Sequence, residues 1–275
     1  MKEKRILIQK YLVEKGLLDN ERDAAAWLLS GKVFLGTRRL KAGDKVTLSD
    51  NIIVSGLHDR YISKGGLKLE KALEVFHLSP LGLVCLDAGA STGGFTDCLI
   101  KHGAQKVYAV DVGFGQLHGS LRQDERVVNL ERTNLGDESL LTLSPVPTLC
   151  TCDLSYLSLI NAVPYYRAIM QESGNLICLV KPLFEVDDTE ARRTGVLPND
   201  CFVPLLKRLK QALDSQPLTG VRAVTFSPVT GNQGTVEFFF HIRFGSFTPV
   251  DLNEQISYSV SEALRLMPYR KDHHV

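Results

Sequence analysis

From Leu83 onward the apolar positions fall into short runs, each followed by a stretch with helical spacing. Six runs read as strands: Leu83–Asp87, Lys106–Asp111, Thr148–Asp153, Leu176–Lys181, Leu218–Thr225 and Val236–Phe244. Most are apolar almost without interruption, which predicts burial on both faces of a parallel sheet covered by helices. The last run, Val236 through Phe244, has the look of an antiparallel hairpin strand. The predicted class is α/β: a Rossmann-like, doubly wound, mostly parallel sheet with an antiparallel C-terminal hairpin, preceded by a small α+β domain.

The pattern before residue 60 is different. Ile6, Leu7, Tyr11 and Leu12 recur at helical spacing, and Gly16 reads as a stop. Asn20 reads as the N-cap of a second helix through Ala24–Leu29, closed by Gly31. Lys32–Leu35 and Lys45–Leu48 read as strands, with turns at Gly36 and Gly43. The expected division is 1–60 and 61–275.

No apolar run approaches the roughly 18 residues of a membrane span, and the basic start is not followed by an apolar stretch of signal-peptide length. The six cysteines form no C-x-x-C pair and sit mostly inside apolar runs. Buried thiols in a cytoplasmic protein are expected, with no metal site. Cys150 and Cys152 alternate along a strand and should share one face.

Net charge changes the picture only when it is divided. The 275 residues carry a formal charge of +1, which argues against a nucleic-acid partner. Residues 1–60 hold 12 basic and 8 acidic side chains, so about +4 lies in the first segment and about −3 in the rest. Arg5, Lys10, Arg22, Lys32, Arg38, Arg39 and Lys41 are candidate phosphate contacts.

In open α/β sheets, ligands bind outside the carboxyl ends of the strands. Here those ends carry Asp87, Asp111, Asp153 and Lys181. The loop from Leu86 to Thr96 follows a strand and opens a helix, so its backbone can approach a ligand closely. Asp87, Gly89, Ala90, Ser91, Gly93, Gly94 and Phe95 are candidate cofactor contacts, and Asp111 a candidate ribose-hydroxyl acceptor. The loop alone leaves a nicotinamide dinucleotide open. An acid at its start would repel a pyrophosphate but suits a cationic aminoacyl-sulfonium group. That feature and the terminal hairpin favour S-adenosylmethionine.

Two resemblances extend this reading. Gly16-Leu17, Glu21-Arg22, Gly31, Val33 and Lys41 through Val46 resemble the S-four-type RNA-binding module, over roughly Lys4–Gly56. Tyr61 through Leu69, Asp87 through Cys98, Asp111 through Leu117, Glu131 through Asn134, Asp153 through Leu159 and Leu179 through Glu185 occur in order. Together they resemble the TlyA family of haemolysin-named, FtsJ-like ribosomal RNA 2′-O-methyltransferases. That resemblance implies S-adenosylmethionine as cofactor and ribosomal RNA or a ribosomal subunit as partner. It implies cofactor contacts at Val112, Asn134 and Asp153, and a catalytic Lys-Asp-Lys-Glu tetrad at Lys68, Asp153, Lys181 and Glu237.

The tetrad suits the chemistry. A ribose hydroxyl is a poor nucleophile and must be oriented and relieved of its proton. Lys181 is the candidate base, if burial or Lys68 lowers its pKa, with Asp153 and Glu237 holding the lysines. Three rival functions stand beside this one: a catalytically silent RNA-binding protein, methylation of another acceptor, and a membrane-active haemolysin.

Overall fold

The computed structural model describes residues 5–15, 21–29, 31–48, 50, 52–54, 60–186, 188–231 and 234–266, with the side chains of residues 22, 23, 26 and 53 excepted. The chain divides into two compact units between Arg60 and Tyr61.

The first unit contains β1 (Arg5–Leu7), α1 (Ile8–Glu14), α2 (Glu21–Leu29), β2 (Val33–Leu35), β3 (Arg38–Arg39), β4 (Lys45–Thr47) and β5 (Ile52–Val54). β1 pairs antiparallel with β4, and β2 lies antiparallel between β3 and β5. Ile6 and Leu7 are therefore strand rather than helix: Ile6 pairs with Val46, and Leu7 stays extended at the entrance to α1. Ile8, Tyr11, Leu12, Ala24, Leu28, Val33, Leu40 and Val46 form the core. The stop at Gly16 and the cap at Asn20 lie outside the described residues.

The second unit begins with α3 (Lys64–Phe76). The Ser63 hydroxyl accepts from Gly65 N at 3.3 Å to cap this helix, and left-handed His77 ends it. Then follow β6 (Val84–Ala88), α4 (Gly94–Lys101), β7 (Lys106–Asp111), α5 (Gly119–Arg122), β8 (Val127–Glu131), β9 (Leu149–Cys152), α6 (Leu159–Ile169), β10 (Gly174–Val180), α7 (Pro182–Glu185), α8 (Thr189–Thr194), α9 (Phe202–Asp214), β11 (Thr219–Phe226), β12 (Phe238–Phe244) and α10 (Asn253–Leu264). Seven strands form one sheet in the order β8-β7-β6-β9-β10-β12-β11. β12 is antiparallel to both its neighbours, while the pairings from β8 to β10 are parallel.

Both faces of the sheet are covered, which explains the apolar runs. α6, α9 and α10 pack on one face through residues such as Tyr166, Leu206, Leu209 and Ile256. α3 and α4 pack on the other through Leu69, Leu73, Phe95 and Leu99. The phenylalanine run shows the strand period directly, with Phe238 and Phe240 in the first cluster and Phe239 in the second. Cys150 and Cys152 share a face, and the described cysteines are free thiols. The sequence pattern did not predict β8. It is an edge strand whose Val-Val-Asn-Leu-Glu residues are only partly buried, so it lacks the apolar run that marks its neighbours. Among the described residues no helix is long and apolar enough to cross a membrane.

The strand order reverses direction between β6 and β9. Loops leaving these two strands diverge, and the crevice between them opens at their carboxyl ends. Because β12 runs the other way, its first residue, Phe238, lies opposite Val180 at the end of β10. Glu237 is thereby delivered to the same edge of the sheet as Asp153 and Lys181.

Candidate active site

Three strands adjacent in the sheet supply three of the four tetrad residues. Asp153 follows β9, Lys181 follows β10, and Glu237 precedes β12; Lys68 comes from the second turn of α3. Lys68 Nζ donates to Glu237 Oε2 in a close ion pair whose side chains are only 6% and 7% exposed. Burial raises the Glu237 carboxyl above its ordinary value, against the opposing pull of Lys68; the charges of Asp153 and Lys181 also reach it. A Cβ on Gly231 would collide with Glu237 Oε1, so the β11–β12 loop passes the carboxylate as closely as glycine allows.

Lys181 Nζ sits 2.5 Å from Asp153 Oδ1 and donates to Ser155 Oγ at 2.7 Å. The contact with Asp153 is one of charge, because buried Oδ1 receives no aligned hydrogen bond. The second pair is more open than the first, with Lys181 18% and Asp153 25% exposed. The fold thus brings all four sequence-expected residues to one edge of the sheet, as one buried and one accessible ion pair.

The glycine loop lies beside them. Asp153 N donates to Ala88 O at 3.0 Å, and a Cβ on Gly89, at φ +84°, would lie 2.5 Å from Asp153 O. Only glycine permits β6 and β9 to end this close together. Gly89 N and Ala90 N both donate to Val110 O, at 2.9 and 3.1 Å. Asp111 joins two loops: Oδ2 accepts from Ser91 N at 2.8 Å and Oδ1 from Gly113 N at 2.7 Å. Ser91, Val112 and Asn134 are exposed at this rim. Asn134 Oδ1 turns back to its own loop, accepting from Gly136 N at 3.0 Å.

Two expected cofactor contacts, Asp87 and Phe95, have their side chains turned into the core. The Asp87 side chain is fully buried and accepts hydrogen bonds from Thr96 Oγ1 at 2.7 Å and Thr151 Oγ1 at 2.9 Å. It braces β6 against β9 and α4 and cannot touch a ligand. Phe95 is 3% exposed and packs on Phe239, so it is a core residue. Ala90 is buried beside Leu117 and Leu121. A side chain on Gly93 would collide with Leu121, and one on Gly94 with Ser63 Oγ. These two glycines allow close packing of neighbouring elements.

Other groups hold the site without having been expected. Glu131 Oε1 accepts from Gln116 N at 2.9 Å, Leu117 N at 3.3 Å and Arg122 at 2.9 Å, fixing the loop that follows Asp111. Backbone amides of this loop hold the Glu131 carboxyl down at about 2, against desolvation. Glu185 Oε1 accepts from Leu159 N at 3.0 Å, tying the loop after β10 to the loop after β9. Ser155 lies two residues beyond a strand-end acid, which was the available signal for it.

Of the basic residues expected to contact phosphate, Arg5, Lys10, Lys32, Arg38, Arg39 and Lys41 are exposed on the first unit. Asp44 offsets Arg38 at 2.7 Å, and Lys32 lies over the Trp27 ring at 5.2 Å. The Arg22 side chain lies outside the described residues.

A seven-stranded sheet with one antiparallel strand, a glycine loop at its reversal and a charged quartet at the strand ends defines a Rossmann-like methyltransferase. The chain belongs to the FtsJ-like methyltransferase family, whose model matches residues 61–244, and its cofactor is S-adenosylmethionine. It is 36% identical over 247 residues to YqxC of Bacillus subtilis, named as a candidate rRNA methyltransferase, covering 89% of this chain and 88% of the relative. It is 37% identical over 246 residues to the 16S/23S rRNA (cytidine-2′-O)-methyltransferase TlyA of Mycobacterium tuberculosis, covering 87% and 90%. The solved structure of a Streptococcus thermophilus protein, described as a candidate hemolysin, superposes with a TM-score of 0.71 at 33% identity, covering 95% and 96%.

Asp87 provides a test of this geometry. Burial pushes its carboxyl up to about 6, although two hydroxyls donate to it, and Asp153 adds to the rise. A raised carboxyl opposes folding once it ionises, so its stability term falls as pH rises through about 4 to 6. Asp87→Asn removes that term. Between pH 4 and pH 7.5 the variant should gain on the wild type by an amount of order 3 kcal/mol in denaturant unfolding. Parallel stability curves would show that the carboxylate carries no such burden.

Proposed function

We propose that this chain methylates a ribose 2′-hydroxyl in ribosomal RNA, with Lys68, Asp153, Lys181 and Glu237 as the reacting constellation. The observation that carries this reading is the convergence of the four on one strand edge beside the glycine loop. The close approach of Gly89 to Asp153, which a Cβ would prevent, brings the glycine loop against the strand-end acid and fits S-adenosylmethionine. Asp111 suits the ribose, and Ser91, Val112, Asn134 and Asp153 line the same rim. Bound there, the cofactor supplies a methyl group already activated on a sulfonium.

The protein's work is to orient the hydroxyl and accept its proton. Lys181, the more accessible lysine, would take the proton from the hydroxyl oxygen as that oxygen accepts the methyl group. Asp153 faces its ammonium and offsets the charge this creates. Lys68 is paired with Glu237 where neither side chain is more than 7% exposed, which makes it an electrostatic and structural partner rather than the base. General-base assistance of this kind is worth about 10²–10⁴-fold, with positioning supplying more.

The first unit, read as an S-four-type module, would dock the RNA. Its exposed cations and its basic balance support this, and the TlyA relative acts on 16S and 23S rRNA. A ribosomal substrate puts the reaction in the cytoplasm, which suits buried free thiols.

Methyl transfer from labelled S-adenosylmethionine to ribosomal subunits should yield 2′-O-methylribose. Lys181→Ala should lower turnover at least about 100-fold while cofactor affinity stays within about threefold. Unchanged turnover would remove Lys181 from the chemistry. Replacing Lys10, Lys32 and Arg39 together with Gln should weaken RNA binding across sequences. The slope of log affinity against log salt should become shallower by about one for each of these cations that meets a phosphate in the wild type. An unchanged slope would move docking off this surface.

A further inference from the structure

Lys181 has two partners of different kinds among the described residues. Asp153 Oδ1 attracts its nitrogen at 2.5 Å without an aligned hydrogen bond. Ser155 Oγ accepts an aligned one at 2.7 Å. A close charge lowers the energy of an ammonium but imposes little direction on its hydrogens, whereas a hydrogen bond is directional. A tetrahedral nitrogen with one N–H pinned has its remaining positions fixed as well.

Building on the tetrad reading, we propose that Ser155 is a positioning residue for methyl transfer, fixing the rotation of the Lys181 amine so that its lone pair meets the substrate hydroxyl. In the neutral amine one N–H is held by Ser155 Oγ and the other is drawn towards Asp153. The lone pair occupies the third position, on the side neither partner fills. The 2′-hydroxyl proton passes there to Nζ as the oxygen–methyl bond forms and the sulfonium becomes a thioether.

The surroundings suit the role. Ser155 is exposed and has no packing duty in the core. Its loop is held at both ends: Asp153 N bonds to Ala88 O at 3.0 Å, and Leu159 N bonds to Glu185 Oε1 at 3.0 Å. Glu185 follows Lys181 by four residues, so the strap joins the segments carrying the serine and the lysine. Arg208 holds the same turn, donating to Glu185 O at 2.7 Å.

The test compares Ser155→Ala, Ser155→Thr and Lys181→Ala in the full chain, using labelled S-adenosylmethionine and ribosomal subunits. Ser155→Ala should lower kcat about tenfold, with KM for both substrates within about twofold. Ser155→Thr, which keeps the hydroxyl, should restore most of the loss. Full kcat in Ser155→Ala, a change confined to KM, or a threonine variant no better than alanine would each overturn the proposal. An inactive Lys181→Ala beside a fully active Ser155→Ala would defeat the serine's role alone. An active Lys181→Ala would defeat the reading beneath it.

Discussion

One strand runs against its sheet, and the site depends on it. If β12 were parallel to β10, its first residue would lie at the opposite edge, about 20 Å away for a strand of this length. Running antiparallel, it puts Glu237 beside the ends of β9 and β10, where Lys68 closes over it from α3. Burying such a pair costs several kcal/mol in desolvation, and apolar residues of equal volume are often as stable. Stability alone therefore does not account for Lys68 and Glu237. They set a fixed, nearly dry electrostatic wall behind the more open pair of Asp153 and Lys181.

The two pairs have different chemical capacities because their burial differs. Lys68 and Glu237 pair with each other where there is little access for a third group. Lys181 and Asp153 are linked by charge at an accessible edge, with an oxygen that still lacks an aligned hydrogen bond. A further acid, Asp87, sits behind them in the core, where two threonine hydroxyls take the place of water. The crevice thus has a rigid base of buried polar bonds and a rim of exposed Ser91, Val112, Asn134 and Ser155.

Much of this was legible in the sequence because the sheet writes itself as apolar runs, and parallel strands place their last residues at the ligand edge. Asp111, Asp153 and Lys181 were visible on those grounds, and Lys68 and Glu237 through the resemblance. Spacing does not reveal side-chain rotation, so the sequence did not show that Asp87 and Phe95 turn into the core. Asp87 ends an apolar run like Asp153 does, but Thr96 from α4 and Thr151 from the neighbouring β9 turn it inward. Phe95 falls inside the glycine loop's motif, yet its ring fills the α3–α4 layer. β8 escaped notice because an edge strand needs only a half-apolar pattern. Glu131 at its end stood in the sequence only as part of a family motif, and its role in ordering the loop after Asp111 was not read.

The central claim is that the four charged residues act as one unit, and double-variant kinetics test it most directly. Turnover would be compared for Lys181→Ala, Glu237→Gln and the double variant, on ribosomal subunits at saturating S-adenosylmethionine. Members of a unit are not additive, so the double variant should be no more than about threefold slower than the slower single. Losses that multiply would mean that Lys181 and Glu237 contribute independently, and would contradict the account.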